Sequence, residues 1–86
     1  MADYKLLVTA SAAKELDAVG TKRDRQRVTA RIRSLAREPR PLGSQKLTGK
    51  EQYRVRQGPY RIVYDIDDAS RSITVFKIGH RKGVYR

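Results

Sequence analysis

Arg54, Arg56 and Arg61 fall within the run Tyr53-Arg54-Val55-Arg56-Gln57-Gly58-Pro59-Tyr60-Arg61-Ile62-Val63-Tyr64. A guanidinium group is planar, permanently charged and able to grip two phosphate oxygens at once, so grouped arginines suit a polyanion. Whether these three are grouped depends on the backbone. Residues two apart in a strand share a face. With Gly58-Pro59 as a two-residue hairpin loop, Gln57 stands opposite Tyr60, Arg56 opposite Arg61, Val55 opposite Ile62 and Tyr53 opposite Tyr64. One face is then aromatic and aliphatic, and the other carries all three guanidiniums. A slip of one residue would send Arg61 to the other side. Alternating arginine is also what an ordinary solvated sheet face looks like, and taken alone the pattern reads that way more readily.

The end of the chain, Gly79-His80-Arg81-Lys82-Gly83-Val84-Tyr85-Arg86, is basic, and no acid follows Asp68. Val84 and Tyr85 make an odd pair to leave in water, which favours a tail that docks back on the sheet. If it docks on the arginine face, the combined residues fit one chemistry. RNA carries its own nucleophile, the 2′-hydroxyl. Cleavage needs a base for that hydroxyl, an acid for the leaving 5′ oxygen and positive charge on the developing phosphorane. Arg54, Arg56 and Arg61 supply charge without a metal. Tyr85 can exchange the proton if neighbouring cations lower its pKa from about 10. Arg81 can donate to the leaving group, at the expense expected of a group whose pKa exceeds about 12. His80 is the conventional acid–base side chain, although a surface histidine is the commoner role. A plain solvated terminus is the competing reading of the whole tail.

Twenty Lys and Arg against nine Asp and Glu give a formal net charge of +11 over 86 residues, the balance of a nucleic-acid binder or of a protein kept by an acidic partner. A hydrophobic fraction of 38% suffices for a two-layer core in a single domain spanning 1–86. One histidine and no cysteine give no zinc site and no disulfide, consistent with a reducing, cytoplasmic setting. No metal or cofactor is expected. No long apolar span or signal sequence appears, so no membrane association is expected.

The elements that must position these residues follow from periodicity. Tyr4–Val8 reads as a strand. Thr9 or Ser11 caps a helix with Ala12, Ala13, Leu16 and Val19 on its apolar side, ended by Gly20. Thr21 and Asp24 open a second helix over Lys22–Arg37, with Val28, Ile32, Leu35 and Ala36 buried and Pro39 and Pro41 beyond its end. Its seven cations form a solvated face or a phosphate-contacting ridge. Glu38 to Gly49 reads as loop. Strands follow at Tyr53–Gln57, Tyr60–Ile66 and Ser72–Ile78, the last two joined through Asp67-Asp68-Ala69-Ser70. The expected fold class is α+β: two N-terminal helices on one face of a small antiparallel sheet, in the order β-α-α-β-β-β.

Lys46-Leu47-Thr48-Gly49, Tyr53-Arg54-Val55-Arg56, the segment Gly58 to Asp68 and the tail Gly79 to Arg86 together resemble the RelE/ParE toxin superfamily of type II toxin–antitoxin modules. The resemblance covers nearly the whole chain and implies the same fold. Its RelE branch comprises ribosome-dependent endoribonucleases that cut mRNA in the ribosomal A site. Carried over, the resemblance implies phosphate and transition-state contacts at Arg54, Arg56 and Arg61, a leaving-group or phosphate role for Arg81, and the 2′-hydroxyl base at Tyr85. Lys46, His80 and Lys82 join the phosphate-binding set. Several RelE members have lysine where Arg54 and Arg56 stand. Arginine keeps the charge but gives up no proton. The implied partners are the ribosome, mRNA and a cognate antitoxin that masks the basic site. The ParE branch shares the fold and poisons DNA gyrase without cutting RNA, and a plain RNA-binding module is a third reading.

Overall fold

A computed structural model describes residues 3–47 and 52–80. In chain order the elements are β1 (Lys5–Val8), α1 (Ala10–Asp17), α2 (Lys22–Leu35), β2 (Gln45–Lys46), β3 (Gln52–Gln57), β4 (Tyr60–Asp67) and β5 (Ser72–His80). They build a five-stranded sheet in the order β1-β5-β4-β3-β2, with both helices against one face. β2 through β5 pair antiparallel, whereas β1 joins β5 in parallel, so the sheet is mixed rather than wholly antiparallel. No short hairpin links β1 to its partner. The intervening helices and strands leave its direction unconstrained by a tight turn.

Both helices start on a threonine. Thr9 Oγ1 accepts from the Ala12 amide at 3.1 Å, and Thr21 Oγ1 accepts from the Asp24 amide at 3.1 Å. The expected glycine cap on α1 is not used. Ala18 closes that helix in ordinary right-handed geometry, and Gly20 lies beyond it. Arg25 instead reaches back from α2 and donates to the Val19 carbonyl at 2.9 Å. α2 stops at Leu35, short of the expected Arg37, with Ala36 as its cap. Gln45 and Lys46, expected in a loop, pair with Arg54 and Tyr53.

Val28, Ile32 and Leu35 project from α2, and Ala12 from α1 with Val19 just after it. They meet Tyr53, Val55, Ile62, Tyr64, Ile66, Ile73, Val75 and Ile78 of the sheet. Ile78 and Val75 differ in parity, so a regular strand would send them to opposite faces. The β4–β5 register shifts between Val63 and Tyr64, pairing Val63 with Lys77 but Tyr64 with Val75. This bulge skips Phe76 and lets both halves of β5 face the helices. β1 covers β5 only as far as Val75. Farther along, Glu15 of α1 accepts the Ile78 amide at 2.8 Å and so satisfies a donor that a neighbouring strand would otherwise take.

The loop after α2 is tied to the sheet at several points. The Tyr64 hydroxyl donates to the Pro39 carbonyl at 2.7 Å. Arg40 donates to Asp68 at 2.9 Å and to the Tyr53 hydroxyl at 3.1 Å. Hydrogen bonds from Arg40 and then Tyr4 hold the Asp68 carboxyl below the usual carboxylate range. The Tyr53 and Tyr64 rings stack at 5.9 Å with 24° between their planes.

Burial pushes the Tyr64 phenol up to about 12 from an ordinary 10.0. A folded-state value above the unfolded one contributes stability that is complete below pH 10 and is lost as pH climbs toward 12. Denaturant unfolding followed across that window is expected to show a loss of stability that Tyr64→Phe reduces.

Candidate nucleic-acid interface

The Gly58-Pro59 turn fixes the arginine face. Gly58 has φ +58°, the left-handed conformation glycine adopts without penalty, and proline follows with its restricted negative φ. That combination suits the primed hairpin turn whose twist matches flanking strands. The pairing is Gln57 with Tyr60, Arg56 with Arg61, Val55 with Ile62 and Tyr53 with Tyr64, as expected from the loop length. Tyr53, Val55, Ile62 and Tyr64 enter the core. Alternation then places Arg54, Arg56 and Arg61 together on the sheet face that the helices leave open.

On that face Arg61 lies in register with Gly79 of β5, a position with no side chain to fill the space beside it. Lys77 is in register with Val63 and adds a fourth cation by position. Its ammonium lies 4.0 Å from Glu15 at the β5 edge. Arg56 is exposed, while Arg54 and Arg61 are half-buried. The Arg61 Nε and Nη1 atoms are shielded from solvent. Gln45 Oε1 accepts a hydrogen bond from Arg54 Nη2. Cross-strand pairing of like charges is unfavourable by about 0.2–1 kcal/mol, and a bound anion removes that penalty.

Two other expected members do not join the arginines. Lys46 pairs with Tyr53, and paired residues share a face, so its register places it on the helix side of the sheet. His80 pairs with Tyr60, and the two rings meet edge to face at 5.6 Å. Tyr60 packs against the core, and its hydroxyl accepts from the Gly20 amide at 3.4 Å. His80 therefore lines a cavity of about 250 Å³ with Glu15, Val19 and Ile78 on the helix side. Both placements follow from parity along the strand. Arg81, Lys82 and Tyr85 lie outside the described residues, as do Thr48 and Gly49.

Sequence reasoning gave Arg31 no separate role among the seven cations of α2. It lines a cavity of about 310 Å³ with Gly43, Gln45, Arg54 and Arg56. The signal was present in its position: 28, 31, 32 and 35 are the i, i+3, i+4 and i+7 positions of one helix face. Arg31 thus occupies the stripe otherwise made by Val28, Ile32 and Leu35. A larger groove, about 740 Å³, runs along α1 and α2 away from the hairpin, lined in part by Lys22, Arg25, Arg33 and Arg37. It is basic but holds none of the expected site residues. Among the described residues no cluster of His, Cys, Asp and Glu could hold a metal ion. No described helix is long and apolar enough to cross a membrane.

Comparison with known proteins agrees with this architecture. The family described as the ParE toxin of the type II toxin–antitoxin system parDE matches residues 6–85. Toxin RelE of Mycobacterium tuberculosis is 31% identical over 84 residues, covering 96% of this chain and 87% of that protein. Toxin RelG of the same organism is 34% identical over 55 residues, and the match spans 60% of this chain and 61% of RelG. The crystal structure of the toxin–antitoxin complex RelBE2 from M. tuberculosis contains a chain that superposes with a TM-score of 0.80 at 26% identity, covering 92% of this chain and 99% of that one. The chain belongs to the RelE/ParE superfamily of toxins from type II toxin–antitoxin systems.

Proposed function

We propose that this toxin is a metal-independent, ribosome-dependent endoribonuclease that cleaves mRNA in the ribosomal A site by attack of the 2′-hydroxyl. The cross-strand pair of Arg56 and Arg61, with Arg54 on the same face, is the observation that carries this reading. Three guanidiniums on one rigid hairpin can hold a phosphodiester and stabilise the charge that develops as its phosphorus becomes five-coordinate. They cannot move the proton, because arginine stays charged. That task falls to Tyr85 as base on the 2′-hydroxyl, with Arg81 assisting the departing 5′ oxygen. β5 supports the assignment: it carries the chain to His80, one residue past the Gly79 that faces Arg61. The last described residue of β5 is thus one position beyond the residue paired with Arg61.

The remaining elements of the proposal are a single toxin domain over 1–86, action in the cytoplasm, and neutralisation by a cognate antitoxin. The antitoxin follows from the likeness to the toxin chain of the RelBE2 complex. Lys82 provides further phosphate attraction in the tail. Lys46 and His80 serve at most peripheral contacts, since their registers put them on the helix side.

A second reading is favoured by the matching family description, which is that of ParE. A ParE-like toxin would act on DNA gyrase and leave RNA intact. Translating ribosomes supplied with purified toxin separate the two. The nuclease reading expects mRNA cut only when ribosomes are present. Tyr85→Phe combined with Arg81→Ala should reduce cutting on the order of 10²–10⁴-fold while ribosome binding persists. Intact mRNA together with stabilised gyrase–DNA cleavage complexes would select the ParE reading.

Reversing the hairpin charge gives an independent check. Arg56→Glu with Arg61→Glu is expected to abolish growth arrest on expression while the thermal midpoint stays within a few degrees of the parent. Loss of the folded state instead would assign these arginines to structure.

A further inference from the structure

Arg31 has the features of a ligand-binding residue rather than of a solvated cation. It sits on the apolar stripe of α2, and its Nε atom is buried with no hydrogen-bond partner among the described residues. A guanidinium N–H shielded from water and left unmatched is costly. The cavity beside it continues around the β3 edge to Arg54 and Arg56, and no carboxylate is among its described lining residues. The unmatched Arg31 N–H, with the guanidiniums of Arg54 and Arg56 lining the same small cavity, suits an anion.

The walls also narrow the source of that anion. Arg31, Arg54, Arg56, Gln45 and Gly43 are all polar or lack a side chain. A peptide segment docking there would meet no apolar side chain among the described lining residues, whereas interfaces with nucleic acid are polar and strongly positive. Arg54 and Arg56 also belong to the open sheet face, so the cavity adjoins the proposed cleavage site directly.

We propose that the cleft between α2 and the β3 edge is a second phosphate subsite for a single-stranded RNA, with Arg31 as the residue that defines it. One strand would then be held through Arg56 and Arg61 on the sheet face and through Arg31 and Arg54 around the edge. The RNA identity of the ligand rests on the function proposed above, but the subsite does not require that the bound strand be cut.

The test is binding of a short, cleavage-resistant 2′-O-methyl oligonucleotide to full-length toxin, measured over a range of salt concentrations. Arg31→Met keeps the packed stem and removes the guanidinium, and Arg31→Lys restores the charge alone. Arg31→Met is expected to weaken binding roughly tenfold and to reduce the salt slope by about 0.7, the value for one single-strand phosphate contact. Arg31→Lys should recover the slope. The Arg31 Nε–H nuclear magnetic resonance signal should shift saturably when the oligonucleotide is added. An unchanged slope and an unmoved signal would overturn the proposal, even if the toxin still cuts mRNA. Failure of the parent toxin to bind the oligonucleotide would overturn it as well, as would a loss confined to antitoxin affinity. Binding with these Arg31 effects, together with mRNA left intact on translating ribosomes, would leave the subsite standing and remove the nuclease reading.

Discussion

The open face of this toxin depends on the turn at Gly58-Pro59. A left-handed glycine followed by proline permits a two-residue loop, and the loop length dictates which residues of β3 and β4 meet. That register does two things at once. It sends Tyr53, Val55, Ile62 and Tyr64 under the helices, where they form much of the core. It also forces Arg56 against Arg61 on the other face. The core contribution of the apolar set far exceeds the repulsion between two partly solvated guanidiniums. Fully burying one large apolar side chain contributes about 1.5–3 kcal/mol, against about 0.2–1 kcal/mol for an unfavourable cross-strand pair. The hydrophobic face therefore holds a charge arrangement that would not be adopted for its own sake.

Other features extend this arrangement. The bulge at Val63/Tyr64 keeps Ile73, Val75 and Ile78 of β5 toward the helices while leaving Gly79 beside Arg61. Glu15 completes the hydrogen bonding of β5 where β1 ends, and its carboxylate approaches Lys77. On the opposite edge, the loop from Pro39 to Gln45 is fastened by Tyr64 and Arg40, which brings Gly43 and Gln45 to the margin of β3. The basic surface is thus continuous from the open face around the β3 edge to Arg31, with a rigid sheet beneath it.

The hairpin was legible in the sequence because period-two alternation and a Gly-Pro loop act over a dozen residues. The buried face of α2 was legible for the same reason, since Val28, Ile32 and Leu35 keep helical spacing. Long-range facts were not. Nothing local dictates that β1 joins β5 in parallel, and a two-residue strand such as β2 has no periodicity to detect. The bulge was hidden because it breaks the alternation that strand reading relies on. In the candidate site, the grouping of Arg54, Arg56 and Arg61 followed from turn length, whereas Lys46 entered through the family resemblance and His80 through its chemistry, and both fall on the other side by register. Arg31 was hidden by its six basic neighbours on α2, although its place in the apolar stripe distinguished it.

In the proposed function the folded hairpin holds two like charges together for an anion. A double-mutant cycle on unfolding free energy, using Arg56→Gln, Arg61→Gln and the pair, measures this directly at low salt. An unfavourable Arg56–Arg61 coupling of about 0.2–1 kcal/mol is expected in the free protein, shrinking or reversing with inorganic phosphate but not with chloride at equal ionic strength. A favourable or absent coupling that phosphate leaves unchanged would contradict it.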